Sequence, residues 1–186
     1  MVWGFFKKKQ AHSRIQLEDW LRTLEIDVDA VADVGGKKLP VKDRVKSWQA
    51  NRYDILDLPE YDLNREWEIV EVYDVVFCME VFEYIYNPFQ AMKNLYKILK
   101  PGGTLFISFQ FIYPHHGPWG MDYLRYTQWG VEKLLTEAGF QSWERYSRPF
   151  KRSKLITEFY SGENMKHEKP HNQIHLDQGY LVKALK

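Results

Sequence analysis

The chain has 186 residues, 45% of them hydrophobic and 27% charged, and a formal net charge of +1. That length suits one domain with a proper core, and so small a charge excludes a strong field for nucleic acid or an acidic membrane. The single cysteine, Cys78, excludes an internal disulfide, no apolar run approaches the roughly 20 residues of a membrane-spanning helix, and Met1 to Phe6 is too short for a signal-peptide core, so the expected location is the cytoplasm.

Ser13, with Gln16 three residues on, has the form of a capping box. It opens a helix with Leu17, Trp20, Leu21 and Leu24 on one face. Ala30 to Val34 is a strand that Gly35-Gly36 breaks. Val41 to Trp48 fits a short helix or a strand equally. Tyr53 to Leu58 is a strand ended by Pro59, and Asp62 to Val72 has room for another short strand and a charged loop. Tyr73 to Cys78 is a short apolar run rich in β-branched residues, the mark of a strand buried on both faces. Asn87-Pro88 begins a helix, with Asn as N-cap and Pro at the first helical position. Phe89, Met92, Tyr96 and Leu99 recur at helical spacing, and Lys100-Pro101-Gly102-Gly103 stops the helix. Thr104 to Phe109 is a second buried strand.

A long loop follows, Phe111 to Tyr126, rich in Pro, Gly, His and aromatic residues. Thr127 caps a helix with Val131, Leu134, Leu135 and Ala138 on one face, and Gly139 closes it. Gln141 to Tyr146 and Tyr180 to Leu185 are the final strands, the last set off by Gly179. Ser147 to Gln178 between them is polar and unpatterned, as a mobile insertion is.

Strand, crossover helix and strand from Tyr73 to Phe109 make a βαβ unit, so the sheet there is parallel and needs helices on both faces. The predicted architecture is α/β: three layers around a doubly wound, mostly parallel sheet, with the last strand antiparallel. A single domain is expected over 1–186, with a helical region at 1–29, a core at 30–140 and C-terminal strands with the polar insertion at 141–186. A parallel sheet places its ligand crevice at the carboxyl ends of its strands, here around Cys78-Met79-Glu80 and Gln110 to His116.

The aromatic-Asp-apolar strand at Tyr73, the Glu80-Val81-Phe82-Glu83 step, the helix and the Lys100-Pro101-Gly102-Gly103 turn occur in order. The segment resembles the class I S-adenosylmethionine-dependent methyltransferases, in particular the type 11-like members. That resemblance implies a Rossmann-like methyltransferase fold, S-adenosylmethionine as cofactor and a small-molecule acceptor. Val31 to Lys38 looks like the family's first cofactor motif, a strand ending in an acid, Asp33, and a turn whose Gly35 and Gly36 let backbone approach the methionine part. Lys37-Lys38 stands where the family pattern usually carries a further glycine. Asp57, 24 residues after Asp33, matches the acid that holds the ribose diol, with Asp54 as the competing candidate. Asp62 or Asn64 is offered for the adenine edge, and Cys78, Met79 and Glu80 for the strand end that faces the cofactor.

Glu80 and Glu83 lie three apart, on one face if the segment is helical, and Glu83 suits a carboxylate complementing a helix N-terminus. Cys78 has no base near it in sequence and is not read as a nucleophile. Tyr113-Pro114-His115-His116 with Asp122 to Thr127 is similar to a loop found in methyltransferases of polysaccharide and lipopolysaccharide synthesis. His116 fits a proton acceptor for the group being methylated, unless His115 serves instead, and Asp122 with Arg125 fits an ion pair that fixes the loop. His167, His171 and His175 have helical spacing, but Pro170 interrupts it and no metal is expected. The small net charge and the absence of an Asn-Pro-Pro-aromatic motif set nucleic acid aside as a partner. The alternative function is a binding protein that keeps this fold without catalysis.

Overall fold

A computed structural model describes residues 11–117, 120–149 and 177–186. Six strands form one sheet: β1 (Glu25–Val34), β2 (Ser47–Leu56), β3 (Tyr73–Cys78), β4 (Leu99–Gln110), β5 (Ser142–Pro149) and β6 (Asp177–Leu185). Three helices accompany them, α1 (His12–Leu21), α2 (Pro88–Ile98) and α3 (Gln128–Ala138). The strand order is β2-β1-β3-β4-β6-β5. β1 pairs in parallel with β2 and β3, and β3 with β4, whereas β6 runs antiparallel to β4 and β5. The predicted mostly parallel sheet with an antiparallel final strand is what forms.

The sheet separates two cores. On one face Met92, Leu95 and Ile98 of α2 and Val131, Leu134 and Leu135 of α3 pack on Val34, Val76, Ile107 and Phe109. On the other, Leu17 and Leu21 of α1 meet Val31, Val75, Phe77 and Phe106. Both α1 leucines are fully buried, and each contributes on the order of 1.5–3 kcal/mol through removal from water. β3 is covered on both sides, which is why its sequence shows no alternation.

Local details depart from the sequence reading where tertiary contacts compete. α1 starts at His12 with Ala11 as its cap and no capping side chain, and Ser13 lies buried inside it. The stripe that α2 buries is Ala91, Met92, Leu95 and Ile98, while Phe89 is 47% exposed. β2 begins at Ser47, several residues ahead of Tyr53, because an edge strand shows only half of its apolar signal. The segment before it is neither helix nor strand: its turn is set by Asp33, which accepts from the Val41 N–H, and by Lys46, which donates to the Leu24 carbonyl. Asp62 to Val72 holds no strand. Buried Asn94 on α2 takes over the backbone groups of that loop, accepting from Trp67 N and donating to the carbonyls of Leu63 and Arg65. Gly179 sits within β6 opposite Gln110 rather than before it. Thr127 caps α3 through its Oγ1 and Gly139 ends it in the left-handed region, as expected. The polar insertion falls mainly on residues 150–176, outside the described residues.

Candidate active site

β1 lies between β2 and β3, so the chain leaves it first to one side and later to the other. Such a switch point opens a crevice at the carboxyl ends of the two strands. Gly35 and Gly36 stand there. Gly35 has φ +78° and its N–H donates to the Leu56 carbonyl, and a Cβ on it would lie 2.5 Å from Val81 Cγ2. A Cβ on Gly36 would fall on the Asp33 carboxylate, 2.2 Å from its carbon. Both glycines are therefore required by the protein's own packing. Asp33 is buried and accepts from Val41 N at 2.8 Å and Tyr53 Oη at 2.7 Å. Burial raises its pKa, and those two hydrogen bonds oppose the shift. It shapes the turn from behind. Lys37 and Lys38 are exposed, and the Lys37 N–H donates to Asp57 Oδ2.

Of the two candidate acids on β2, Asp57 lies just past the strand's carboxyl end. It accepts from Lys37 N and Leu58 N. Asp54 is engaged elsewhere, receiving the Tyr73 hydroxyl at 2.8 Å and the Arg52 guanidinium. Asn64 ties its loop to the start of α2, its Oδ1 accepting from Tyr86 N and Asn87 N and its Nδ2 donating to Asp62. Asn87 accordingly precedes α2 without a capping hydrogen bond from its side chain.

The end of β3 carries the densest polar network. Cys78 is fully buried, and burial pushes its thiol pKa up, which agrees with a structural role. Met79 is nearly buried too. Glu80 has φ +59°, an uncommon backbone for a residue with a side chain. Ser108 holds it there: the Glu80 N–H donates to Ser108 Oγ at 2.7 Å, and that hydroxyl donates to Glu80 Oε1 at 3.0 Å. Gln110 Nε2 donates to Oε2 at 2.6 Å and Arg148 Nη1 to Oε1 at 2.8 Å. Arg148 is wholly buried, and its Nη2 donates to the Ser13 carbonyl of α1. Nothing in the sequence distinguishes it, because it stands in a polar stretch that reads as solvated.

Glu83 overturns the reading of a carboxylate at a helix N-terminus. It sits in the 3-10 turn Phe82–Tyr84, ahead of α2. Its side chain is fully buried, and neither carboxyl oxygen has a hydrogen-bond partner. Burial, reinforced by the charge of Glu80, pushes its pKa up to about 8. Its carbonyl accepts from Tyr123 N and Leu124 N and so anchors the loop after β4. Within that loop Arg125 grips Asp122 at both oxygens and donates to the carbonyls of Tyr113 and Pro114. The expected ion pair forms, and the guanidinium holds the Asp122 carboxyl well below the usual carboxylate range. His116 donates its N–H to Asp122. Its Nε2 lies 3.1 Å from Tyr84 Oη and 3.8 Å from Glu83 Oε1, and its ring meets Tyr113 edge to face. His115 is exposed. The structure thus brings His116, Tyr84, Glu83 and Asp122 together at the carboxyl edge that also carries Glu80. Among the described residues no group of His, Cys, Asp and Glu could hold a metal; His167, His171 and His175 lie outside them.

A methyltransferase-domain family model matches residues 17–105, from α1 through the glycine turn and Glu80 into β4. Over that stretch, just under half of its length, the chain is similar to methyltransferase domains, in line with the resemblance read from its motifs. A ubiquinone biosynthesis O-methyltransferase of Pseudomonas savastanoi is 42% identical over 41 residues, 22% of this chain and 18% of that one. A highly reducing polyketide synthase of Emericella nidulans is 26% identical over 132 residues, 64% of this chain and 5% of the synthase. The chain therefore spans under a fifth of either relative. A methyltransferase of Thermotoga maritima shares the fold with a TM-score of 0.61 at 12% identity, over 94% of this chain and 88% of that one. The family match stops before the His116 loop and Arg148.

The family's cofactor is S-adenosylmethionine, and the crevice fits it in chemistry. A turn without side chains stands at the switch point, with Asp57 just past the end of β2 and the Glu80 backbone bent at the end of β3.

Proposed function

We propose that this protein transfers a methyl group from S-adenosylmethionine to a small acceptor, a sugar hydroxyl or an amine. The observation that carries the reading is the left-handed Gly35 turn at the switch point, opposite the end of β3. The Gly35-Gly36 turn would present its backbone to the methionine part, Asp57 would accept from the ribose diol, and the segment Cys78-Met79-Glu80 would line the site. Asp33 and Asn64 would serve indirectly, Asp33 from its buried place behind the turn and Asn64 by tying its loop to the start of α2. When bound, the cofactor supplies a methyl group on a positively charged sulfur. The chain's task is then alignment, exclusion of water and removal of one proton. The loop stapled by Arg125 gives a stiff wall, and His116 in it, a third exposed on its side chain, is the proposed proton acceptor. Its similarity to loops of polysaccharide-synthesis enzymes supports a sugar acceptor. The lone, reduced-type cysteine supports a cytoplasmic location, and no helix among the described residues is long and apolar enough to cross a membrane.

One observation favours the alternative of a binding protein without catalysis: Val81 packs where Gly35 faces. Calorimetric titration with S-adenosylhomocysteine separates the two. Saturable heat at micromolar to millimolar ligand is expected, and no heat at millimolar ligand sinks the catalytic reading.

A further inference from the structure

Three carboxyl groups and two guanidinium groups meet at the carboxyl edge. Arg148 is committed to Glu80 and Arg125 to Asp122. Glu83 is left over. Its neighbours from every packed element are Cys78 and Glu80 at the end of β3, Tyr84 beside it, Asp122, Arg125 and Tyr126 from the loop, and Arg148 from β5. None of these donates a hydrogen bond to its carboxyl. A buried carboxyl without a partner is costly and rare in native proteins. The remaining neighbour is His116, whose Nε2 faces Glu83 Oε1 at 3.8 Å. The other ring nitrogen, Nδ1, is also buried without a hydrogen bond, 3.6 Å from Asp122 Oδ2. The imidazole therefore stands between one carboxylate gripped by arginine and one carboxyl that the two guanidinium groups reach only at a distance, without a hydrogen bond.

We propose that Glu83 is a positioning residue that shares one proton with His116, so that carboxyl and imidazole titrate as a single unit beneath the loop. A carboxylic acid beside a neutral imidazole and a carboxylate beside an imidazolium contain the same number of protons. The pocket passes between them without gaining net charge, which its burial requires. As an account of catalysis this rests on the methyl-transfer reading. An acceptor hydroxyl or ammonium group would give its proton to Nε2, and the unit would return one proton to water once the loop admits it. The raised pKa of Glu83 agrees with a carboxyl that keeps its proton until a cation forms beside it.

The test follows the His116 Cε1–H and Glu83 Cδ resonances by NMR across pH, with His116 assigned by its loss in His116→Gln. In the wild type both resonances should move through the same two steps. In Glu83→Gln the His116 curve should collapse to one step, and in His116→Gln the midpoint of Glu83 should shift. The second comparison stands even if Glu83→Gln folds poorly. Superimposable His116 curves in wild type and Glu83→Gln, or an unmoved Glu83 midpoint in His116→Gln, would overturn the shared proton. Failure of the wild type to bind S-adenosylhomocysteine would instead remove the methyl-transfer reading and leave the titration result standing.

Discussion

Asp57 owes its selection over Asp54 to position, since the two differ little as side chains. Three residues carry the chain from the body of β2, where Asp54 meets Tyr73, to the rim, where Asp57 meets the glycine turn. Asp57→Ala should weaken S-adenosylhomocysteine binding by about 1.5–3 kcal/mol, the scale of a hydrogen bond to a charged group. A calorimetric dissociation constant equal to the wild type's would remove the residue from the site. Glu83 makes a different kind of prediction, about stability. Its pKa rises from 4.5 to about 8 in the native chain, so between those values the folded state keeps a proton that the unfolded state has released. Its contribution is whole below the lower value and is lost as pH climbs through the upper one. Glu83→Gln cannot lose it. Urea denaturation between about pH 5 and pH 9 should show the variant gaining on the wild type, by on the order of a few kcal/mol. Parallel stability curves would show that Glu83 is ionised throughout.

Among the elements, β5 matters most for the candidate site because it carries Arg148, one residue before its end. Breaking a buried ion pair from one side leaves an uncompensated charge and costs about 3–5 kcal/mol. Arg148→Met should show that loss in denaturant unfolding, and adding Glu80→Gln should recover part of it. Strict additivity of the two changes would mean the pair is uncoupled. α3 offers a smaller and cleaner case. Its Thr127 cap accepts from Gly130 N at 3.1 Å, and Thr127→Ala should cost about 1 kcal/mol with no effect on cofactor binding. A change in S-adenosylhomocysteine affinity there would show that the loop before α3 reaches further into the crevice than its hydrogen bonds indicate.

Over the whole molecule, β3, α3 and the carboxyl halves of β1 and β4 were legible because their apolar periods agree with their final environment. β1 begins five residues earlier, at Glu25, and Lys100-Pro101-Gly102-Gly103 lies inside β4, which begins at Leu99. The early half of β2 and the turn before it were not, since one is an exposed edge and the other follows Asp33 and Leu24 across the fold. The site divides in the same way. Gly35, Gly36, Asp57 and His116 stand where motif reading puts them, at the carboxyl edge. Glu83 and Arg148 look like solvated charges in sequence, and only packing reveals one as buried and unpaired and the other as buried and clamped. Whether a charge is inside is a property of distant neighbours, and no local pattern encodes it.

The Arg148 clamp also has a temporal meaning. Its two hydrogen bonds reach 68 residues back to Glu80 and 135 back to Ser13. On a growing chain the strands β1 to β4 can pair long before Arg148 exists, and until it arrives the uncommon backbone of Glu80 rests on Ser108 and Gln110 alone. The bend at Glu80 is thus secured late, by the same side chain that pins the first helix. A nascent chain halted before β5 would carry a sheet with an open β4 edge and a Glu80 carboxylate still waiting for its arginine.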